Sequence, residues 1–572
     1  MYSKHTGDLL KVSKTHTRNT SNGRPKYVMT IGEEKLKKRN RLLPLFLVVV
    51  LTLTMVLSAC GGNQPGSNQP SASQPSASQP REDVVIIMGL PNSWNHLMPL
   101  SPPSAYQIEV CTVIYDLLTR KNEAGDIEPR AAESWFSSDD LKTLTLNLRK
   151  DLYWHDGKQV TAKDWKFTFD LMTSEYANEC ISQSKFNLLA GTDLAGVLQP
   201  GMPSPVETPD DFTFVLNFKE PMSAFSFFTN YAYTLFVLPE HILSGLDANN
   251  LMEWDFWKAP IGSGPCRFVS ESNATEIILD AVDNYPIGEL QFDRLIYRVV
   301  ASDAAVSALL AGEINAYYYG FTSDALLPLA GVPGTRTQLM SNVSTFSALC
   351  MNNDIYDANF RKAMNYALDK ELIVESIYFG DADPTNSSVR ANSPFVIETW
   401  KGRDVALAKE YLAKSSWKPG GPPLKLACAP GIRTQIATVM QQNFAELGVQ
   451  IEIMTQDQPA VLAGLSDGTY DMGIFSGSSS SFPTWITNMP IFFQNLCHIL
   501  DQSLYFEYRN RLSIASEDAE IAKIAAEFQA FWEDEMPAAP MQHAYGWYIF
   551  SDWLQNVTAI ETSAAWTWVV NK

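Results

Sequence analysis

The 572-residue sequence predicts an α/β protein built from more than one lobe. Three observations carry that expectation. Short apolar runs rich in β-branched residues, such as residues 84–88 (VVIIM), have the length and content of buried strands. Segments with one apolar stripe at helical spacing, each closed by glycine, lie between strand-like runs, and strands separated by helices imply an α/β body. The chain is also too long for a single hydrophobic core, so it divides into domains or lobes.

Taken in order, residues 144–148 (LTLNL) alternate apolar and polar side chains as a half-buried strand does. The sequence His155-Asp156-Gly157-Lys158 places Asp-Gly between strand-like stretches, a strong hairpin signal. Thr161, followed three residues later by Asp164, predicts a helix start before the aromatic run WKFTFDLM. Between residues 360 and 380, Phe360, Met364, Ala367, Leu368 and Ile377 recur near helical spacing, and Gly380 fits a C-cap. Ile436, Val439, Met440, Phe444 and Leu447 form one stripe closed by Gly448, after which VQIEI alternates as a strand.

The N-terminus differs in kind. Residues 1–59 carry a net charge of +8, which leaves −28 on the remainder and an acidic body behind a basic leader. Lys35, Lys37, Lys38, Arg39 and Arg41 precede an 18-residue apolar run, 42–59, that ends Leu-Ser-Ala before Cys60. That order is a secretory signal over residues 1–59, and a cysteine directly after small residues resembles a bacterial lipobox. Cys60 is the expected acylation site and membrane attachment point; a single uncleaved membrane helix is the alternative, since 18 residues nearly span a bilayer. The n-region before the apolar run is long, and Met29 is a candidate true start. Residues 61–80 form four pentads (GGNQP, GSNQP, SASQP, SASQP) without an apolar residue larger than Ala, so residues 60–81 are expected to be a tether reaching about 25 to 60 Å.

Composition excludes some functions. A net charge of −20 supplies no basic patch for nucleic acid. No G-x-S-x-G, H-E-x-x-H or G-x-x-x-x-G-K-[ST] motif is present, and the five histidines after residue 60 (His96, His155, His241, His498, His543) show no ligand spacing, so neither a metal site nor a cofactor is expected. Cys111, Cys180, Cys266, Cys350, Cys428 and Cys497 sit singly in apolar sequence and read as buried thiols, although export permits disulfides whose pairing spacing cannot assign.

Residues 127–169 resemble a signature of the family 5 substrate-binding proteins of ATP-driven importers, the oligopeptide- and dipeptide-binding type. The matching residues are Pro129, Ala132, Glu133, Ser134, Trp135, Leu148, Arg149, His155, Asp156, Gly157, Thr161, Ala162 and Asp164. Residues 259–268 (APIGSGPCRF), 292–315, 351–382 and 436–472 are similar to further family segments in the same order. The resemblance implies a two-lobed clamshell of type II periplasmic-binding-protein character. Lobe 1 would comprise residues 82–341, with an extra β-rich subdomain at 119–218, and residues 530–572; lobe 2 would comprise 342–529. It also implies ligand capture between the lobes by a monomer, ABC-permease subunits as partners, no catalysis, and a place outside the membrane.

Expected ligand-facing residues come from cleft-bordering segments. Asn92, Trp94 and His96 follow the first strand, and Tyr317 and Tyr319 lie in YYYG, where one or two tyrosines belong to the core. The resemblance places Thr345, Phe346 and Ser347 toward ligand, and Trp400 and Trp485 are aromatic candidates. Residues 476–485 (SGSSSSFPTW) stand where oligopeptide binders carry a tryptophan and an aspartate that pairs with the ligand's ammonium group; Ser476 and Ser479 occupy those places. Ser476, Ser478, Ser479 and Ser480 are therefore expected to form a hydroxyl-lined cleft loop backed by Phe482 and Trp485, or else a mobile rim. Loss of the aspartate leaves an oligosaccharide open beside a peptide as ligand, unless Asp354, Asp457 or another carboxylate takes its part. A glycosidase-type enzyme with two carboxylates is the reading from a different class.

Overall fold

The computed structural model describes residues 83–572 except 95, 102–104, 123–125, 179, 181–182, 233–234, 322, 390–392, 480–492, 494, 500–502 and 558–563. The leader, the tether with Cys60, and Ser480, Phe482 and Trp485 lie outside the described residues.

One mixed sheet of eleven strands runs through the body. In chain order its strands are β1 (Val85–Leu90), β2 (Cys266–Ser272), β3 (Glu276–Ala281), β4 (Arg294–Val299), β5 (Ala316–Phe321), β6 (Thr335–Met351), β7 (Ala382–Pro384), β8 (Leu424–Cys428), β9 (Ile451–Thr455), β10 (Met472–Ser479) and β11 (Ala538–Ser551). Their order across the sheet is β9-β8-β10-β6-β11-β5-β1-β4-β3-β2, with β7 pairing off this path to β11. On one side β1 runs parallel to β4 and β5. On the other side β8 runs parallel to β9 and β10. Each half therefore has the strand-helix-strand construction that the alternation of strand and helix signals predicts.

Two long strands join the halves. β6 spans 17 residues and β11 spans 14, and they pair antiparallel from Thr335↔Ser551 to Cys350↔Ala538, with one irregularity between Met340 and Ser344 and another between Ser347 and Ala348. β5 joins β11 with its own shift between Tyr317 and Phe321. A Cβ on Gly546 would sit 2.6 Å from the Cα of Gly320, so glycine on both strands permits this close approach.

The apolar clusters divide as the strands do. One joins residues from Ile86 to Tyr297 with Tyr548, Phe550 and Trp568. Two others cover opposite faces of the second half: Leu349, Met351, Met472 and Ile474 belong to one, and Phe346, Ala348, Cys350 and Phe475 to the other. The result is a two-lobed α/β body. Trp532, Met536, Ala538, Ala539 and Met541 all pack in the second half. The chain thus returns to the first lobe along β11, later than the expected residue 530. The 119–218 region contains a separate antiparallel sheet, ordered Ala132–Ser137, Thr143–Leu148, Thr213–Asn217, Val206–Asp210.

Local signals take definite forms. The Asp164 carboxylate accepts the Thr161 N–H at 2.8 Å and starts the helix Ala162–Met172. The Asp-Gly hairpin closes with Trp154 N donating to Lys158 O at 2.7 Å and Gly157 at φ +90°. His155 ties that turn to the GSGP segment: Nδ1 accepts the Gly262 N–H at 3.2 Å, leaving Nε2 to donate to Gly264 O at 3.0 Å. Burial pushes the His155 imidazolium down to about 4, so the ring is neutral at pH 7. The stripe over 360–380 is two helices, Ala358–Ala367 and Lys370–Ser376, instead of one. Leu368 is extended, and the Asp369 side chain caps the second helix by accepting the Leu372 N–H at 2.9 Å. The six cysteines of the body are buried and unbridged.

Candidate ligand-binding site

The site follows from alternation along two paired strands. β6 and β10 are antiparallel with Met351 opposite Met472, Leu349 opposite Ile474, Ser347 opposite Ser476 and Thr345 opposite Ser478. Period 2 puts these four pairs on one face. The first two pairs are fully buried in one apolar cluster. Polarity then changes: Ser347 is buried, Ser476 is half-buried and Thr345 is exposed. The strands climb from an apolar core to a hydroxyl layer at the carboxyl end of β10. In open α/β sheets the crevice beyond the carboxyl ends of parallel strands is where ligands bind.

Side chains from three other segments lie there. Ser347 Oγ and Ser476 Oγ lie 2.9 Å apart, and Arg433 Nε donates to Ser476 Oγ at 3.2 Å. Arg433 sits in the first turn of the helix Ile432–Ala445, which follows β8, also at a carboxyl end. Gly431 precedes it at φ +89°, the first turn holds no acidic residue, and no side chain caps the helix. The partial positive charge of that helix end therefore adds to the guanidinium. On β11, opposite Ser347, the buried Gln542 donates Nε2 to Tyr378 Oη at 3.0 Å. Burial pushes the Tyr378 phenol up, so its hydroxyl remains a donor. Hydrogen bonds thus join Gln542 to Tyr378 on one side and Ser347 through Ser476 to Arg433 on the other.

The carboxylates considered from the sequence are engaged elsewhere. Asp354 lies 3.3 Å from His498 Nδ1, and Asp457 caps the helix Gln458–Ser466 by accepting the Ala460 N–H at 2.9 Å. Beside β11, Asp381 accepts from Trp547 Nε1 at 2.8 Å and Asp383 accepts from Tyr545 Oη.

The expected ligand-facing residues meet different fates. Thr345, Ser347 and Ser476 come together as described, and Ser478 pairs with Thr345 along the backbone, its side chain outside the described residues; residues 476–479 are strand and not loop, because each pairs with β6. Ser479 pairs with Ser344 at the end of the ladder, and its side chain is outside the described residues. Phe346 is fully buried in the core behind the site, its ring 5.2 Å from that of His543. Trp94 is fully buried, with Nε1 donating to Glu271 at 3.2 Å. Tyr317 is fully buried and donates to Val300 O at 2.7 Å. Both serve packing, since an apolar ring with its one polar atom satisfied gains most inside. Trp400 is half-buried against Tyr366 and donates to Glu371, and the Lys370 ammonium lies 3.9 Å from its ring centre, so it too is structural. Asn92 is exposed after β1. His96 is half-buried, its Nδ1 3.3 Å from Met98 N and 3.1 Å from Gln107 Nε2, and burial lowers its pKa. Tyr319 lies on β5, and its side chain is outside the described residues.

Arg433, Tyr378 and Gln542 escaped the sequence analysis. Arg433 had a usable signal: it opens a helix directly after a strand, where the carboxyl-end rule looks for ligand contacts. Gln542 had none, because its place depends on which strand β11 pairs with.

Comparison with known proteins agrees with this architecture. The profile of the bacterial extracellular solute-binding proteins, family 5 (Middle), matches residues 126–495. The oligopeptide-binding protein AppA of Bacillus subtilis is 25% identical over 481 residues, covering 78% of this chain and 82% of that protein. The ABC transporter substrate-binding protein CtaP of Listeria monocytogenes superposes with a TM-score of 0.72 at 21% identity, covering 86% of this chain and all of that one. The structure of AppA from B. subtilis in complex with a nonapeptide superposes at 0.65 with 20% identity, covering 85% and 99%. The chain belongs to the bacterial extracellular solute-binding proteins, family 5.

Proposed function

We propose that this chain captures an oligopeptide between its two lobes and delivers it to the membrane subunits of an ABC importer. The observation that carries the reading is the hydroxyl layer of Thr345, Ser347 and Ser476 beside Arg433, at the carboxyl ends of β8 and β10. Neutral donors and acceptors of this kind suit a peptide backbone, which offers both along its length. Relatives named for oligopeptide and dipeptide binding support the same ligand class. Family 5 solute-binding proteins are extracytoplasmic. In this reading the protein is a monomer that catalyses nothing, and Cys60 carries the lipid that holds it at the outer membrane face. The lobes would part where β6 and β11 pass from one apolar core to the other, near residues 340–344 and 545–547.

Calorimetry of residues 81–572 against peptide and oligosaccharide panels tests the ligand class. Saturable heat from peptides is expected; sugar binding with none from peptides would overturn it, and turnover of a bound compound would restore an enzymatic role. A Cys60→Ala variant is expected to leave the membrane fraction, and one still anchored would refute lipid attachment.

A further inference from the structure

The lobes also meet away from the β6–β11 ribbon. The short helix Ala224–Asn230 has neighbours in both. Ala224, Phe227 and Phe228 pack in the first lobe's apolar cluster, and the Phe228 ring lies 4.7 Å from that of Trp135 in the separate antiparallel sheet. Phe225 instead packs against the second-lobe cluster that holds Leu512 and Ala515. The residue before the helix makes the polar part of the contact. Ser223 donates its N–H to Ser513 O at 2.8 Å and its hydroxyl to Ala515 O at 2.9 Å. The same Oγ accepts the Ser226 N–H at 3.1 Å, so one hydroxyl caps a first-lobe helix and grips a second-lobe turn. That turn follows the helix Ser503–Ile514 and leads into Asp518–Glu535.

The contact is specific and yet breakable. Ser223 and Ala515 are buried in it, and Met222 N–H donates to Leu141 O at 2.9 Å, which ties the gripping segment to its own lobe. The accepting carbonyls stand at a helix end, where water can take the place of Ser223, so each bond adds only its net worth over hydration. Phe225 is half-buried even in contact, so parting the lobes exposes only the rest of its ring. A bend of the ribbon between Met340 and Ser344 alters the separation of whatever lies off it, and this contact lies off it.

We propose that Ser223 and Phe225 are a latch that docks the first lobe onto the turn at residues 513–515 and holds the lobes together without ligand. The parting of the lobes is taken from the capture reading above; the identity of the ligand does not enter. Two hydrogen bonds and a ring contact multiply the ratio of docked to parted lobes by about 10- to 100-fold. A ligand then meets a chain already biased toward its closed form, and both entry and release wait on the latch. Affinity is thereby set in part by residues remote from the hydroxyl layer.

The test uses the lipid-free mature chain, stripped of carried ligand by unfolding in urea and refolding, and no ligand is added. Small-angle X-ray scattering reads how far the lobes stand apart, and hydrogen exchange reads the Ser223 and Ser226 amides separately. Ser223→Asp keeps a side chain that caps the helix but sets a carboxylate against the Ala515 carbonyl; Phe225→Ser removes the ring. Wild type is expected to scatter as a closed body. Both variants are expected to show a larger radius of gyration, a Ser223 amide exchanging about 10- to 100-fold faster, an unchanged Ser226 amide and a nearly unchanged urea midpoint. Variants with the wild-type profile and the wild-type Ser223 rate would overturn the latch. Faster exchange at both amides without expansion would reduce Ser223 to a helix cap and also overturn it. Wild type decides alone if a variant fails to fold: scattering from parted lobes, with the Ser223 amide unprotected, would overturn the proposal. Since no ligand is used, none of these results bears on the peptide reading, which calorimetry tests by itself.

Discussion

Glu109 lies on the helix Ala105–Ile114, fully buried, and accepts a hydrogen bond from Tyr297 Oη at 3.0 Å while its second oxygen has no partner among the described residues. Burial pushes its pKa from 4.5 up to about 7, against the opposing pull of the Tyr297 hydroxyl. Between those values the folded chain keeps a proton that the unfolded chain has released. The contribution to stability is therefore complete below pH 4.5 and is lost as pH rises toward and through 7. At 1.36 kcal/mol per pH unit, the loss by pH 8 is about 3 kcal/mol. A Glu109→Gln variant stays neutral at every pH. It is expected to gain about 3 kcal/mol on wild type between pH 4.5 and pH 8, on top of a pH-independent cost of about 1 kcal/mol for an amide hydrogen left unpaired. His155 works in the opposite sense over nearly the same window. Its pKa falls from 6.5 to about 4, so its contribution is present above pH 6.5 and is lost as pH drops toward 4. The two slopes offset each other in the wild type, and the variant exposes the His155 slope. Urea unfolding followed by tryptophan fluorescence, at half-unit steps from pH 4.5 to 8 and constant ionic strength, reads both. A difference between variant and wild type that stays constant across that range would refute the argument.

Three further perturbations have definite expectations. Gly262→Ala would place a Cβ 1.8 Å from Ile114 O, so a loss of roughly 3 kcal/mol or more is expected, read as a lowered Tm. Arg130→Met leaves the fully buried Asp116 without its ion-pair partner and should cost about 3 to 5 kcal/mol in urea unfolding, with Asp116→Asn on the same chain recovering part of it. Lys370→Met removes an ammonium that donates to Asn365 Oδ1, Thr385 O and Asn386 Oδ1, each at 2.8 Å, and a loss of about 2 to 4 kcal/mol is expected in the same assay. An unchanged midpoint in any of the three would show that the named contact does not hold the fold.

Local signals were readable wherever a short stretch settles its own structure. The Asp-Gly hairpin at His155–Lys158, the Thr161–Asp164 helix start and the stripe ending at Gly448 all depend on residues within a few positions of each other. The single helix expected over 360–380 broke because Asp369 found the Leu372 N–H, a competition that apolar spacing does not register. The serine run was legible as polar and site-bordering, but not as strand, since serine has weak β preference and only pairing with β6 makes residues 476–479 extended. Aromatic residues misled for the converse reason. Trp94, Tyr317 and Phe346 carry large apolar areas, and proximity in sequence to a cleft segment did not outweigh the gain from burying them.

The pairing of β6 with β11 has a mechanical consequence. Both strands cross between the lobes, and each is the other's neighbour along nearly the whole passage. A two-stranded ribbon resists stretching and sliding, because either would break ladder bonds in sequence, but it bends and twists with little change in any one bond. The irregularity between Met340 and Ser344 is where the ladder is already interrupted, so curvature gathers there. The ribbon is then a leaf spring whose softest stretch between the lobes is that interruption. Its stiffness depends on the register between the two strands and can be tuned by substitutions that alter that register away from the hydroxyl layer.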